Sequence, residues 1–192
     1  MHVLILMGSP RPACNTAELC KPVIDELQTR GATVSYLPLC DKRIAPCLGC
    51  YRCQDINGDY GCVQQDDMQA VVRELCKADA VVLATPIYSW YCPATMKALL
   101  DRTYGMNKFY GTASGTLWNA RKQQKLALLL THGYDAAYAT EPFVTGMQRF
   151  AAHCHLAYAG AYTVRDMDDL SDFQTPEAVE GARAFARSLL DG

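Results

Sequence analysis

Three stretches of this chain gather residues able to do chemistry, and the first runs Gly8-Ser9-Pro10-Arg11-Pro12-Ala13-Cys14-Asn15-Thr16. Gly8 lets the chain turn, Ser9 and Thr16 offer hydroxyls, Asn15 an amide and Arg11 a cation, beside the unpaired N–H groups of a helix expected from about Ala17. That set suits an anion. No second glycine stands at the dinucleotide or triphosphate spacing, and no Lys-Ser or Lys-Thr pair follows, so a monophosphate is the better guest. Strand-to-helix turns also collect Ser, Asn and Thr simply as caps, and the loop alone leaves that reading open.

The second stretch, Thr85-Pro86-Ile87-Tyr88-Ser89-Trp90-Tyr91-Cys92-Pro93, brings two prolines, three large rings and a run of backbone N–H groups. Rings beside donors suit a flat heteroaromatic ligand. A flavin needs donors at its pyrimidine edge, where its reduced ring holds charge, and apolar walls along the rest. The alternative is an aromatic loop that only caps a sheet. Tyr88, Trp90 and His132 are the side chains expected near a ring face, with an ordinary strand-end histidine as the plainer reading of His132.

The third stretch is Cys47-Leu48-Gly49-Cys50-Tyr51-Arg52-Cys53 with Cys62, a C-x2-C-x2-C-x8-C spacing that iron-sulfur ligation can use. Zinc suits it less well, because structural zinc sites usually present two separated cysteine pairs. A loop of reduced thiols folded against the flavin side is the remaining alternative. His153 and His155, flanking Cys154, share a face only if that stretch is a strand.

These stretches need elements to hold them. Residues 2–7, 80–85 and 126–131 are apolar without alternation, as strands covered on both faces are. Thr33 to Leu37 alternates and ends near Pro38. Leu19, Val23, Ile24 and Leu27 mark one helix, with Gly31 as its stop. Asp66 and Asp67 cap a second with Met68, Val71, Val72 and Leu75 inward. A third runs from Ala94 to Arg102, a fourth is opened by Pro142 and runs to about Cys154, and a fifth spans Pro176 to Leu190. His155 to Thr163 makes the fifth strand. Residues 38–65 form a long structured loop, and the segment 103–124, with Tyr104, Phe109, Tyr110 and Trp118, is too aromatic for a linker. Strand and helix alternate five times, which calls for an α/β, doubly wound parallel sheet. Its ligand is expected beyond the carboxyl ends of the strands, where the loops at Ser9, Pro86 and Thr131 meet.

Half of the 192 residues are apolar, enough for one core and one domain over residues 1–192. A net charge of −2 gives no footprint for nucleic acid or an anionic membrane, so a small-molecule partner is expected. No stretch approaches the roughly 20 apolar residues of a membrane span, and the opening apolar run is short for a signal peptide. The expectation is a cytoplasmic protein. Of ten cysteines, Cys14, Cys20, Cys40, Cys76, Cys92 and Cys154 are scattered and read as small packed residues.

With these residues in view, the chain resembles a known family. Gly8-Ser9-Pro10-Arg11, Asn15-Thr16, Asp66-Asp67-Met68, Thr85-Pro86-Ile87-Tyr88, Pro93, Met96-Lys97 and Asp101-Arg102 are similar to the NADPH-dependent FMN reductase and iron-sulfur flavoprotein family, over roughly the first hundred residues. The resemblance implies a flavodoxin-like five-stranded sheet of order 2-1-3-4-5 with helices on both faces. It also implies FMN with its phosphate on Ser9, Arg11, Asn15 and Thr16, where Cys14 replaces a more usual Ser or Gly. Pro86, Ile87, Tyr88, Ser89 and Trp90 would line the ring, Thr131, His132 and Gly133 would complete the pocket, and subunits would pair as a homodimer or higher oligomer. The gap before Cys62 is longer than in the iron-sulfur members, which weighs against a [4Fe-4S] cluster on Cys47, Cys50, Cys53 and Cys62.

The activity these readings favour is an oxidoreductase in which NAD(P)H reduces FMN and the electrons pass to a quinone, another flavin or a similar acceptor. The flavin carries the chemistry, so no acid-base side chain is compulsory. The alternatives are an electron carrier reduced through an iron-sulfur cluster by a ferredoxin-like partner, and a flavin or redox sensor without turnover.

Overall fold

The structure, a computed structural model, describes residues 1–118, 123–167 and 169–191. Five strands, β1 (His2–Met7), β2 (Thr33–Pro38), β3 (Ala80–Pro86), β6 (Lys125–His132) and β7 (Ala157–Arg165), form one parallel sheet in the order β2-β1-β3-β6-β7. Counted along the chain, these five strands lie in the order 2-1-3-4-5. A separate two-stranded ribbon pairs β4 (Asn107–Lys108) with β5 (Gly115–Thr116), antiparallel.

The unbroken apolar runs follow from the two layers of helix. Val3, Ile5 and Met7 of β1 join Leu19, Val23 and Leu27 of α1 (Asn15–Thr29) and Phe185, Ala186 and Leu189 of α5 (Pro176–Leu190). Leu4 and Leu6 point the other way, into a core with Val71 and Leu75 of α2 (Met68–Lys77), Met96 and Leu99 of α3 (Ala94–Arg102), and Phe143 and Met147 of α4 (Ala136–His153). Alternate residues serve opposite faces, and since both faces are covered, every position must be apolar.

Two sequence expectations need correction. Helix α4 does not open at Pro142. It starts at Ala136 behind Asp135, whose carboxylate accepts the N–H groups of Ala137 and Tyr138, and Pro142 lies inside it. The buried stripe Ala139, Phe143, Met147 and Ala151 runs straight through the proline, and that packing outweighs the one helical bond it removes. Gly8 was expected to serve the turn, yet it has no positive φ. Its lack of a side chain answers a close approach instead: a Cβ there would stand 2.8 Å from Met96 Cε, 2.9 Å from Met96 Cβ and 3.1 Å from Thr85 Oγ1.

The segment 103–118 packs against the cysteine loop through buried polar side chains; residues 119–122, the rest of that aromatic stretch apart from 123 and 124, lie outside the described residues. Gln54, 1% exposed, donates to Asn107 O at 2.8 Å and accepts the Phe109 N–H at 2.7 Å. Lys108 donates to Cys53 O at 2.7 Å, Gly105 O at 2.7 Å and Tyr60 O at 3.2 Å. Burial holds this ammonium below its ordinary value. Beneath the loop, Arg102 grips both oxygens of Asp66, at 2.8 and 3.1 Å, and donates to Ala45 O at 2.9 Å. Asp66 therefore does more than begin α2.

Candidate functional site

The loops after β1, β3 and β6 meet at the carboxyl edge of the sheet. Gly8 N–H donates to Ala84 O at 2.7 Å, and Thr95 Oγ1 to Gly8 O at 2.5 Å, which ties the first loop to β3 and to the start of α3. Ile87 N–H donates to Thr131 O at 2.8 Å, joining the second loop to the third. Ser9, Arg11, Cys14, Asn15, Thr16, Pro86, Ile87, Tyr88, Thr131, His132, Gly133 and Asp166 surround one cavity of about 110 Å³. A wider cavity of about 470 Å³ continues from it, sharing Ile87, His132, Gly133 and Asp166 and adding Ser89 and Trp90. All thirteen sequence-predicted cofactor residues are thus brought to one contiguous recess.

Cys14 is the extended residue before α1 and caps nothing with its side chain, so the first N–H groups of α1 face the recess without a side-chain cap. Thr16 is buried and shares a hydrogen bond with Thr131, Oγ1 to Oγ1, at 2.8 Å. The Asn15 amide donates to Asp166 Oδ2 at 2.5 Å. Asp166 follows β7, and its N–H donates to His132 O at 2.8 Å. Sequence reasoning missed Asp166; the available signal was a charged pair, Arg165-Asp166, where the fifth strand ends.

The aromatic loop closes in a tight turn. Tyr88 and Tyr91 exchange both backbone bonds, at 2.8 and 3.0 Å, while Ser89 and Trp90 between them adopt φ of 49° and 63°. Two consecutive non-glycine residues at positive φ cost about 1–3 kcal/mol each, and such strain concentrates at ligand sites. The turn sets the Trp90 ring edge-on to Tyr138, with centroids 5.7 Å apart, and Tyr138 meets Tyr134 at 6.1 Å.

His132 supplies the test of whether the recess fits a polar cofactor. Its Nδ1 lies 2.9 Å from Tyr134 O, and a carbonyl only accepts, so Nδ1 carries the proton. Nε2 is buried with no partner among the described residues. A buried polar atom in that state calls for a ligand group or a water.

The four cysteines of the third stretch converge elsewhere. Cys47, Cys50, Cys53 and Cys62 line a cavity of about 420 Å³ with Tyr51, Tyr104, Phe109, His153 and Cys154. No residue of this cavity lines the first-loop recess, which corrects the idea of thiols folded against the flavin side. Helix α3 separates the two: Thr95 in its first turn holds Gly8, while Leu100, Asp101 and Arg102 at its end border the thiols. Nine residues at 1.5 Å each make that helix about 13 Å long. Among the described residues no three His, Cys, Asp or Glu side chains stand close enough for a single metal ion. His153 ends α4 with its ring 4.7 Å from Phe109, and His155 sits at positive φ outside β7, so the two share no strand face.

A parallel sheet in this order, with a hydroxyl-and-amide loop after its first strand and an aromatic turn after its third, defines a flavodoxin-like protein. Residues 1–162 match the NADPH-dependent FMN reductase family, and the chain belongs to it. Similar sequences include an iron-sulfur flavoprotein of Methanocaldococcus jannaschii, 31% identical over 103 residues that make up 54% of this chain and 52% of the relative. Another, from Archaeoglobus fulgidus, is 35% identical over 102 residues, 53% of this chain and 45% of the relative. The chain therefore spans about half the length of the curated relatives it matches. Among solved structures, the NAD(P)H:quinone oxidoreductase from Methanothermobacter marburgensis superposes with a TM-score of 0.73 at 21% identity, over 100% of this chain and 98% of the other. The FMN-dependent NADH-azoreductase from Bacillus anthracis in complex with FMN gives 0.71 at 14% identity, over the whole of both chains. At such identities the likeness is one of fold.

Proposed function

We propose that this chain is a single-domain FMN-dependent NAD(P)H oxidoreductase that delivers electrons to a quinone, a flavin or a similar small acceptor. The observation that carries the reading is the recess itself, where three strand-end loops gather hydroxyls, helix N–H groups, a strained aromatic turn and the unpartnered Nε2 of His132. Ser9, Arg11, Asn15, Thr16 and the start of α1 would hold the phosphate, with Cys14 contributing backbone alone. Pro86 to Trp90 and Thr131 to Gly133 would flank the ring. FMN bound there would supply hydride acceptance from the nicotinamide and electron release to the acceptor. The protein orients both substrates at one open face, which Trp90 and Tyr134 wall with Tyr138 packed against both rings.

No helix among the described residues is long and apolar enough to cross a membrane, which is consistent with a cytoplasmic enzyme. Exposed Leu48, Tyr51, Phe109 and Tyr110 give the homodimer reading an apolar surface to use. The deciding experiment is titration with FMN followed by anaerobic stopped-flow mixing with NADPH and NADH. Bound flavin that bleaches within turnover time supports the enzyme, and protein that takes up no FMN sinks it.

One observation favours a second reading, an electron carrier. Cys47, Cys50, Cys53 and Cys62 line one cavity, and four thiols are the donor set that iron-sulfur clusters take. Iron and acid-labile sulfide near zero in anaerobically purified protein would remove it.

A further inference from the structure

Among the described residues lining the recess, Asp166 is the only carboxylate, and it borders both compartments. Two of its bonds help to fix its position. Its N–H is bonded to His132 O at the end of β6, and its Oδ2 receives the Asn15 amide at 2.5 Å. Asn15 is the first residue of α1, so the positive end of that helix faces the carboxylate. A negative group beside an anion-binding loop works against the anion, unless it serves a part of the ligand that carries no charge. A carboxylate can only accept, so that part must present O–H or N–H donors.

We propose that Asp166, oriented by Asn15, receives the ribityl hydroxyls of the flavin and is a specificity-determining residue for the cofactor. The inference rests on the flavin reading above and adds to it. With the phosphate on the first loop and the ring beside Ile87 and Trp90, the chain between them crosses the wall that the two compartments share. Asp166 stands in that wall with Ile87, His132 and Gly133, and it is the carboxylate among them. Nicotinamide ribose presents the same vicinal hydroxyls, so the test is made with flavins and without nicotinamide.

Binding is measured by quenching of flavin fluorescence for the intact protein, Asp166→Ala and Asn15→Ala, using FMN, riboflavin and lumiflavin, which lacks the ribityl chain. Asp166→Ala is expected to raise Kd for riboflavin roughly 10-fold or more for a charge-assisted bond, to raise it for FMN by a smaller factor because repulsion of the phosphate is relieved as well, and to leave lumiflavin unchanged. Asn15→Ala should weaken riboflavin by less than Asp166→Ala does, and FMN further than riboflavin because a phosphate contact goes with it. Tighter FMN with unchanged riboflavin would mean that Asp166 only repels the phosphate, and equal weakening of all three would mean a structural role; either result overturns the proposal. Intact protein that binds none of the three overturns the flavin reading along with it.

Discussion

Thr16 and Thr131, 115 residues apart in the chain, meet hydroxyl to hydroxyl at 2.8 Å beneath the recess. The bond locks the first turn of α1 to the end of β6. One hydroxyl of such a pair donates within it, and the other keeps its proton for a third group. If Thr131 donates inward, Thr16 has a proton for an anion above it.

Thr16→Ala removes that donor and leaves Thr131 buried with its partner gone. FMN binding should weaken by about 1–3 kcal/mol, while Thr16→Ser should stay close to the parent. Fluorescence titration of the three proteins checks this, and unchanged affinity in the alanine variant would put the phosphate somewhere else.

The fold could be read where local pattern and packing agree. Residues 2–7 and 80–85 had to be buried strands because helices cover both faces, and their observed bounds match within a residue. The three loops could be placed together because strand ends converge in this topology, and the family resemblance named the thirteen residues on them. The ribbon of β4 and β5 was invisible because Asn107 and Lys108 are polar, and their burial depends on Gln54, Cys53 and Tyr60, about fifty residues earlier. Asp66 read as a helix cap, since its bidentate partner Arg102 cannot be inferred from spacing. Asp166 escaped because a charge at a strand end has no period.

Gly8→Ala should destabilise the fold through contact and not through backbone strain. The added methyl meets Met96 Cβ at 2.9 Å, and that atom cannot move without the start of α3. A loss of about 1–3 kcal/mol is expected from overpacking. Adding Met96→Ala removes the Cε contact but keeps the Cβ one, so urea denaturation should show only partial recovery. Full stability in the single variant would mean that α3 shifts freely.

Asp66→Asn strips the buried Arg102 of its countercharge. Burial alone would push the Asp66 carboxyl up, but the Arg102 guanidinium and the N–H groups of Ala45 and Met68 outweigh it and hold it below the ordinary 3.8. The contribution to stability is therefore complete above that ordinary value and disappears as pH falls through the lower folded one. At neutral pH the variant should lose about 3–5 kcal/mol, the cost of leaving one member of a buried pair alone. Plotted against pH, the gap between parent and variant should narrow below about pH 4. A constant gap down to pH 2 would show that the charge is not what matters.

His132→Phe keeps a flat ring at the end of β6 but deletes both nitrogens. The parent Nδ1–H is committed to Tyr134 O, so neutral Nε2 can only accept, and the group it awaits must be a donor. Losing that bond should weaken FMN by about 1 kcal/mol and shift the absorption bands of the bound flavin, since a change beside the ring alters its surroundings. His132→Gln, which restores an acceptor on a flexible stem, should recover part of the affinity. Equal binding by all three proteins, with identical spectra, would mean that Nε2 faces water and that the ring lies further toward Trp90.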